Sequence, residues 1–120
     1  MRARVLVCGG RDFTDWRGMY AALSALHDKH GFSAIIEGGA RGADAGGRSF
    51  GEQNSIPVLT YPADWKKHGK AAGYIRNRKM LDEGKPDLVV AFPGGKGTAM
   101  MIRIAEAAGV RVIRAGWGQP

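Results

Sequence analysis

Four short stretches gather the unusual residues that could meet a ligand: GGRD (9–12), EGGARGAD (37–44), PADW (62–65) and PGGKGT (93–98). In the first, Gly9 and Gly10 make a tight turn beside Arg11 and Asp12. The second supplies Gly38, Gly39, Arg41, Gly42 and Asp44, and the fourth Pro93, Gly94, Gly95, Lys96, Gly97 and Thr98. A glycine-rich turn that runs into a helix converges unpaired backbone amides on one point, and the helix dipole favours negative charge there. GGARGAD and PGGKGT both have this form. Neither is a P-loop, because the glycine spacing is too short and the paired Lys-Ser/Thr is missing, and GGRDF lacks the third glycine of the dinucleotide fingerprint. Asp44 reads either as an early-helix acid or as a group that holds a ribose hydroxyl. Asp12 is expected to cap a helix, to pair with Arg11 or to bind ligand. Thr98 is read as the N-cap of its helix, as a phosphate contact, or as both.

These stretches follow strands. ARVLVC (3–8) is a nearly continuous apolar run, as a strand covered on both faces should be. Further strands are expected at 33–38, 57–62, 86–92 and 110–115. Helices are expected from a cap at Thr14 or Asp15 to His30, then over a glycine-rich segment within 39–54. Two more follow, one from about Lys70 to Gly84 and one over 97–109. Trp16, Met19, Tyr20, Leu23 and Leu26 mark the apolar face of the first. Five strands alternating with four helices predict an α/β fold, a Rossmann-like, doubly wound parallel sheet of order 3-2-1-4-5, in one domain over 1–120 with a frayed tail at 115–120. All four motif loops then lie beyond the carboxyl ends of strands, where open sheets of this kind bind ligands. In that order GGRD and PGGKGT face each other across the switch point.

The bulk properties narrow the classes. The chain has 120 residues, 44% of them hydrophobic and 24% charged, and contains no apolar run of membrane-spanning length. Its N-terminal apolar run is too short for a secretory signal. The lone Cys8 is expected to be a buried strand residue, and the compartment to be the cytoplasm. The net charge is +7, with basic residues scattered through several motifs. That suits a pocket for a phosphorylated small molecule and, secondarily, a nucleic-acid surface.

Taken in order, GGRDF, GGARGAD, PADWKKHGKAAGYIRNRKML and AFPGGKGTAMM resemble the YspA-like, YpsA-related branch of the SLOG superfamily, which occurs in bacteria and phages. The resemblance implies a Rossmann-like fold that binds nucleotides or their derivatives. It also brings in Arg76 and Asn77 as site residues. The related Lonely Guy phosphoribohydrolases carry PGGxGTxxE, in which the glutamate acts beside an arginine. Pro93, Gly94, Gly95, Gly97 and Thr98 match the phosphate-binding part of that motif, and Arg76 matches the arginine. Met101 stands at the glutamate position, and a thioether neither transfers a proton nor stabilises a ribosyl cation by charge.

Three readings follow. The first is a domain that senses or sequesters a nucleotide or phosphorylated nucleoside. The second is an N-glycosidic-bond hydrolase using another acid, with Asp12, Glu37, Asp44 and Asp64 as candidates and Arg76 and Asp44 as its catalytic residues. The third, a nucleic-acid binder like DprA, rests on charge alone. No metal or cofactor is expected. A homodimer is implied by the related proteins, with Trp65 and the methionine-rich last helix as candidate contacts.

Overall fold

The computed structural model describes residues 2–117. Strand β1 (Ala3–Cys8) lies at the centre, paired in parallel with β2 (Phe32–Glu37) on one side and β4 (Leu88–Ala91) on the other. Strand β3 (Val58–Thr60) flanks β2, and β5 (Arg111–Arg114) flanks β4, so the order is β3-β2-β1-β4-β5. This is the expected doubly wound sheet.

The unbroken apolar run of β1 follows from having a helical layer on each face. Val5 and Val7 pack with Met19, Leu23, Phe32 and Phe50 under helices α1 (Trp16–His30) and α2 (Ala43–Gln53). Leu6 and Cys8 alternate to the other face, where Ile36, Met80, Val89, Met101 and Ile104 lie under helices α4 (Ala72–Gly84) and α5 (Lys96–Ala107). This is the two-residue period of a strand serving two cores.

Between Asp15 and Thr14, Asp15 is the cap of α1: its carboxylate accepts from the Gly18 amide at 3.0 Å. Met19 and Leu23 are buried, whereas Trp16 and Tyr20 remain exposed, so the apolar stripe of α1 is wider than its buried face. The glycines of α2 are explained by its close approach to the sheet. A Cβ on Gly47 would lie 2.9 Å from Val7, and one on Gly51 would lie 2.6 Å from Val58. The loss of about 1 kcal/mol of helix propensity per glycine is smaller than the cost of lifting α2 off the β-branched residues beneath it.

The segment after β3 departs from expectation. Instead of one helix starting near Lys70, it forms the short helix α3 (Trp65–His68), a 3₁₀ turn over Gly69–Ala71, and then α4. Asp64 causes the early start by accepting from the Lys67 amide at 3.0 Å. Of the tail expected to fray, Ala115 donates its amide to the Ala91 carbonyl at 2.9 Å and the Trp117 indole donates to the same oxygen at 2.8 Å. Residues 118–120 lie outside the described residues. No described helix is long and apolar enough to cross a membrane.

Candidate functional site

The loops after β1, β2 and β4 meet through their backbones. Gly10 donates its amide to the Pro93 carbonyl at 2.8 Å, and the Gly10 carbonyl accepts from Ala43 at 3.1 Å. GGRD and PGGKGT therefore touch at the switch point, as the strand order requires. Gly42, at φ 77°, lies against the backbone of Gly10 and Arg11 with no room for a side chain. Between these loops and α3–α4 opens a cleft of about 380 Å³, within the range of roughly 300–1,000 Å³ usual for small-molecule sites.

One wall of the cleft is the start of α5. Gly95, not Thr98, is the N-cap residue, and no side chain caps the helix. Thr98 instead occupies the first turn, buried, and lines the cleft with Gly95 and Gly97. A Cβ on Gly95 or Gly97 would meet nothing within 4 Å. Asn77 holds this turn in place. Its side-chain amide donates to the Gly97 carbonyl at 3.1 Å while its oxygen accepts from Arg76 Nε at 3.0 Å. Both ends of the Asn77 amide are thus engaged within the protein, which makes it a positioning residue.

The N-terminus of α2 is arranged differently. Its Ala43 amide is taken by Gly10, and the Asp44 carboxylate folds back to accept from the Ala40 amide at 3.2 Å. Arg76 crosses from α4 to donate to the Gly38 carbonyl at 2.5 Å. A side chain on Gly38 would collide with both Arg76 and Asp44. Of the four candidate acids, only Asp44 lines the cleft. Asp12 is 96% exposed and pairs with Arg41 at 3.2 Å rather than with Arg11. Asp64 is spent on capping α3. Glu37 is fully buried, accepting from the Gly39 amide at 2.6 Å, from the Thr60 hydroxyl and from Arg48 at 3.5 Å. It organises the β2 loop and does not line the cleft.

Burial pushes the Asp44 carboxyl up to about 6; Glu37 adds to the rise, while the Ala40 and Gly38 amides and Arg76 oppose it. Burial likewise lowers Arg76, with Arg11 adding to the fall and Asp44 opposing it. The Cys8 thiol at the cleft floor is pushed up to about 12, chiefly by burial and then by Asp44, so it is no thiolate nucleophile at neutral pH.

The Asp44 shift has a testable sign. The folded state holds the Asp44 proton more tightly than the unfolded chain does. This group therefore favours folding least above pH 6, and its penalty vanishes below the unfolded value of 3.8. A rise of roughly two pH units corresponds to about 3 kcal/mol. Urea denaturation of wild type and Asp44→Asn should show similar stability at pH 4 and a variant more stable by about that amount at pH 7. A stability difference that does not change with pH would refute the shift.

Of the remaining sequence candidates, Gly9, Gly10 and Arg11 line the cleft. Gly38, Gly39 and Arg41 border an adjoining depression, which Arg11 and Arg76 share. Pro93, Gly94, Lys96, Gly42 and Asp12 line neither; Pro93, Gly94 and Gly42 serve loop packing. Sequence reasoning assigned no site role to Lys70, Gly73 and Tyr74, and placed Trp65 only as a strand-end residue and a dimer contact. All four line the cleft, and the Arg11 guanidinium lies 5.1 Å from the Trp65 ring centroid. A compositional signal was available. Residues 65–79 hold Lys66, Lys67, Lys70, Arg76, Arg78 and Lys79 with no acid, so this one segment carries six of the seven net positive charges. Six of the basic residues that read as scattered are thus gathered along the α3–α4 segment, where Lys70 and Arg76 line the cleft and Lys66 and Lys79 border a separate depression.

A doubly wound α/β protein with its cleft at the switch point is the class that fold and site define. Within it, the chain belongs to the YspA, cpYpsA-related SLOG family, whose model matches residues 3–68. It is also 39% identical to the Gene 61 protein of Mycobacterium phage D29, across 94% of this chain and 96% of that protein.

Proposed function

We propose that the cleft binds a nucleotide or phosphorylated nucleoside derivative and holds it without turnover, as a sensing or sequestering domain. The observation that carries this reading is the uncapped first turn of α5, which opens into a cleft that Arg11, Lys70 and Arg76 also line. Amides at a helix start and three cations give a phosphate both directed hydrogen bonds and charge. The positive run along α3–α4 would raise the local concentration of an anionic ligand. SLOG membership favours a nucleoside on that phosphate, and Asp44, which lines the cleft, would accept from a ribose hydroxyl. Met101, 1% exposed and packed among core residues, offers no acid where the phosphoribohydrolases keep theirs.

Thermal unfolding with a panel of nucleoside monophosphates tests the reading. A ligand present at a hundred times its Kd should add about 2.7 kcal/mol of stability, with no free base appearing on prolonged incubation. No stabilisation by any member of the panel would count against the cleft as a nucleotide site.

One observation favours a second reading, N-glycosidic hydrolysis. Asp44 lines the cleft with its carboxyl raised to about 6, a value suited to a general acid near neutral pH. Under this reading, wild type releases free base and Asp44→Asn does not. Binding without release by wild type eliminates it.

A further inference from the structure

We infer that Trp65 and Tyr74 form a stacking platform for the ligand's aromatic base, and that the site reads that base by its face rather than its edge. This rests on the proposed phosphate end and assigns the other end of the ligand.

Trp65 and Tyr74 are 49% and 47% exposed, yet both line the cleft. Two exposed ring systems in one cleft offer apolar area to a planar group, and base–aromatic stacking covers it whichever base is present. Trp65 is held in position. Asp64 caps its short helix, and the ring tip reaches the position of a Cβ on Gly73 at 3.5 Å. The absence of a side chain at Gly73 keeps that part of the wall low. Arg11, over the Trp65 ring, adds a planar cation of the kind that also stacks on bases.

Reading a base edge requires fixed donors and acceptors, and this wall has few. The Asn77 amide is consumed by Arg76 and Gly97. Lys70, Arg11 and the Tyr74 hydroxyl remain, all on exposed side chains that no described neighbouring element fixes in a base plane. A purine covers more ring than a pyrimidine, so purines should bind tighter, with little distinction among adenine, guanine and hypoxanthine.

Calorimetric titration of the whole chain with AMP, GMP, IMP, UMP and ribose 5-phosphate tests this, using wild type, Trp65→Leu and Tyr74→Leu. Purine monophosphates should bind wild type roughly tenfold or more tighter than ribose 5-phosphate. The three purines should agree within about threefold, because edge hydrogen bonds, which discriminate strongly, are not used. Trp65→Leu should erase most of the purine advantage while changing ribose 5-phosphate affinity only a few-fold, since Arg11 loses the ring it rests on but keeps its charge. Purine binding should quench tryptophan fluorescence in wild type but not in Trp65→Leu, which keeps Trp16 and Trp117. Tyr74→Leu supplies the same comparison if Trp65→Leu fails to fold.

A purine advantage that survives both substitutions overturns the platform, and so does its absence from wild type. A difference above about tenfold between AMP and GMP overturns face reading. In each case, retained ribose 5-phosphate binding leaves the phosphate end standing. Failure of every phosphorylated ligand to bind wild type defeats that reading and the platform with it.

Discussion

Gly95→Asp is expected to leave the protein folded and its cleft closed to phosphate. A Cβ at this position meets nothing within 4 Å, so the side chain starts into open space. Position 95 is the N-cap of α5, where aspartate accepts from the first-turn amides and is at least as good a cap as glycine. The new carboxylate would thus occupy the amides that a ligand phosphate needs. It would also repel that phosphate: two unit charges 4 Å apart at a protein surface interact by about 4 kcal/mol, roughly a thousandfold in affinity. Gly95→Ala is the control, filling space without charge, and should retain affinity within a few-fold. Thermal unfolding by circular dichroism and calorimetric titration with a nucleoside monophosphate measure the two halves of this result. Parent-like affinity in Gly95→Asp would remove the start of α5 from the site.

Replacing Glu37 with alanine should have the largest effect on stability. This fully buried carboxylate accepts from the Gly39 amide, the Thr60 hydroxyl and Arg48. Removing it leaves the Gly39 amide, the Thr60 hydroxyl and the partly buried Arg48 guanidinium without this acceptor, though water can reach the exposed Gly39 and Thr60. It also opens a cavity where the buried side chain was, for a loss of about 3 kcal/mol. Natural domains have only about 5–15 kcal/mol in total, so the midpoint of thermal unfolding should fall by about ten degrees or more. Glu37→Gln keeps an acceptor for Gly39, and the Thr60 hydroxyl can rotate to suit the amide. It should therefore recover most of the loss. Equal destabilisation by the two variants would show that charge, not hydrogen-bond geometry, holds the loop. An unchanged midpoint in Glu37→Ala would refute the assignment altogether.

Glu37 also illustrates where sequence reasoning reached its limit. An acid at the end of a strand, before a glycine-rich loop, has the same local signature whether it faces a ligand or a neighbouring strand. Thr60 decides the matter, and it is 23 residues away along the chain. Asn77 is similar, since its partner Gly97 is 20 residues distant. The cap of α3 was more accessible, because Asp64 and the Lys67 amide are three residues apart. In the sequence the PADW turn reads as a strand-end feature, and its Asp64 also has the spacing of a helix start. Trp65 and Tyr74 were harder still. Exposed aromatics resemble core aromatics in a sequence until the faces of their helices are fixed by packing.

By itself the sequence determined the strands, their order and the sheet edge where the motif loops gather. These follow from local periodicity, from glycine and proline punctuation, and from the handedness of crossover connections. It likewise marked the PGGKGT turn and the methionine at position 101. Only the tertiary structure decided which polar groups remain available to a ligand. Asp12, Glu37, Asp64 and Asn77 are each engaged by a partner in the protein, while the start of α5, Arg11, Lys70 and Asp44 line the cleft. The physical reason is that the buried Glu37 and Asn77 must find hydrogen-bond partners within the protein, while the exposed Asp12 and Asp64 take the ion pair and the helix cap that lie within reach. Whether a given residue is used up in that way depends on which chain segments fold against it.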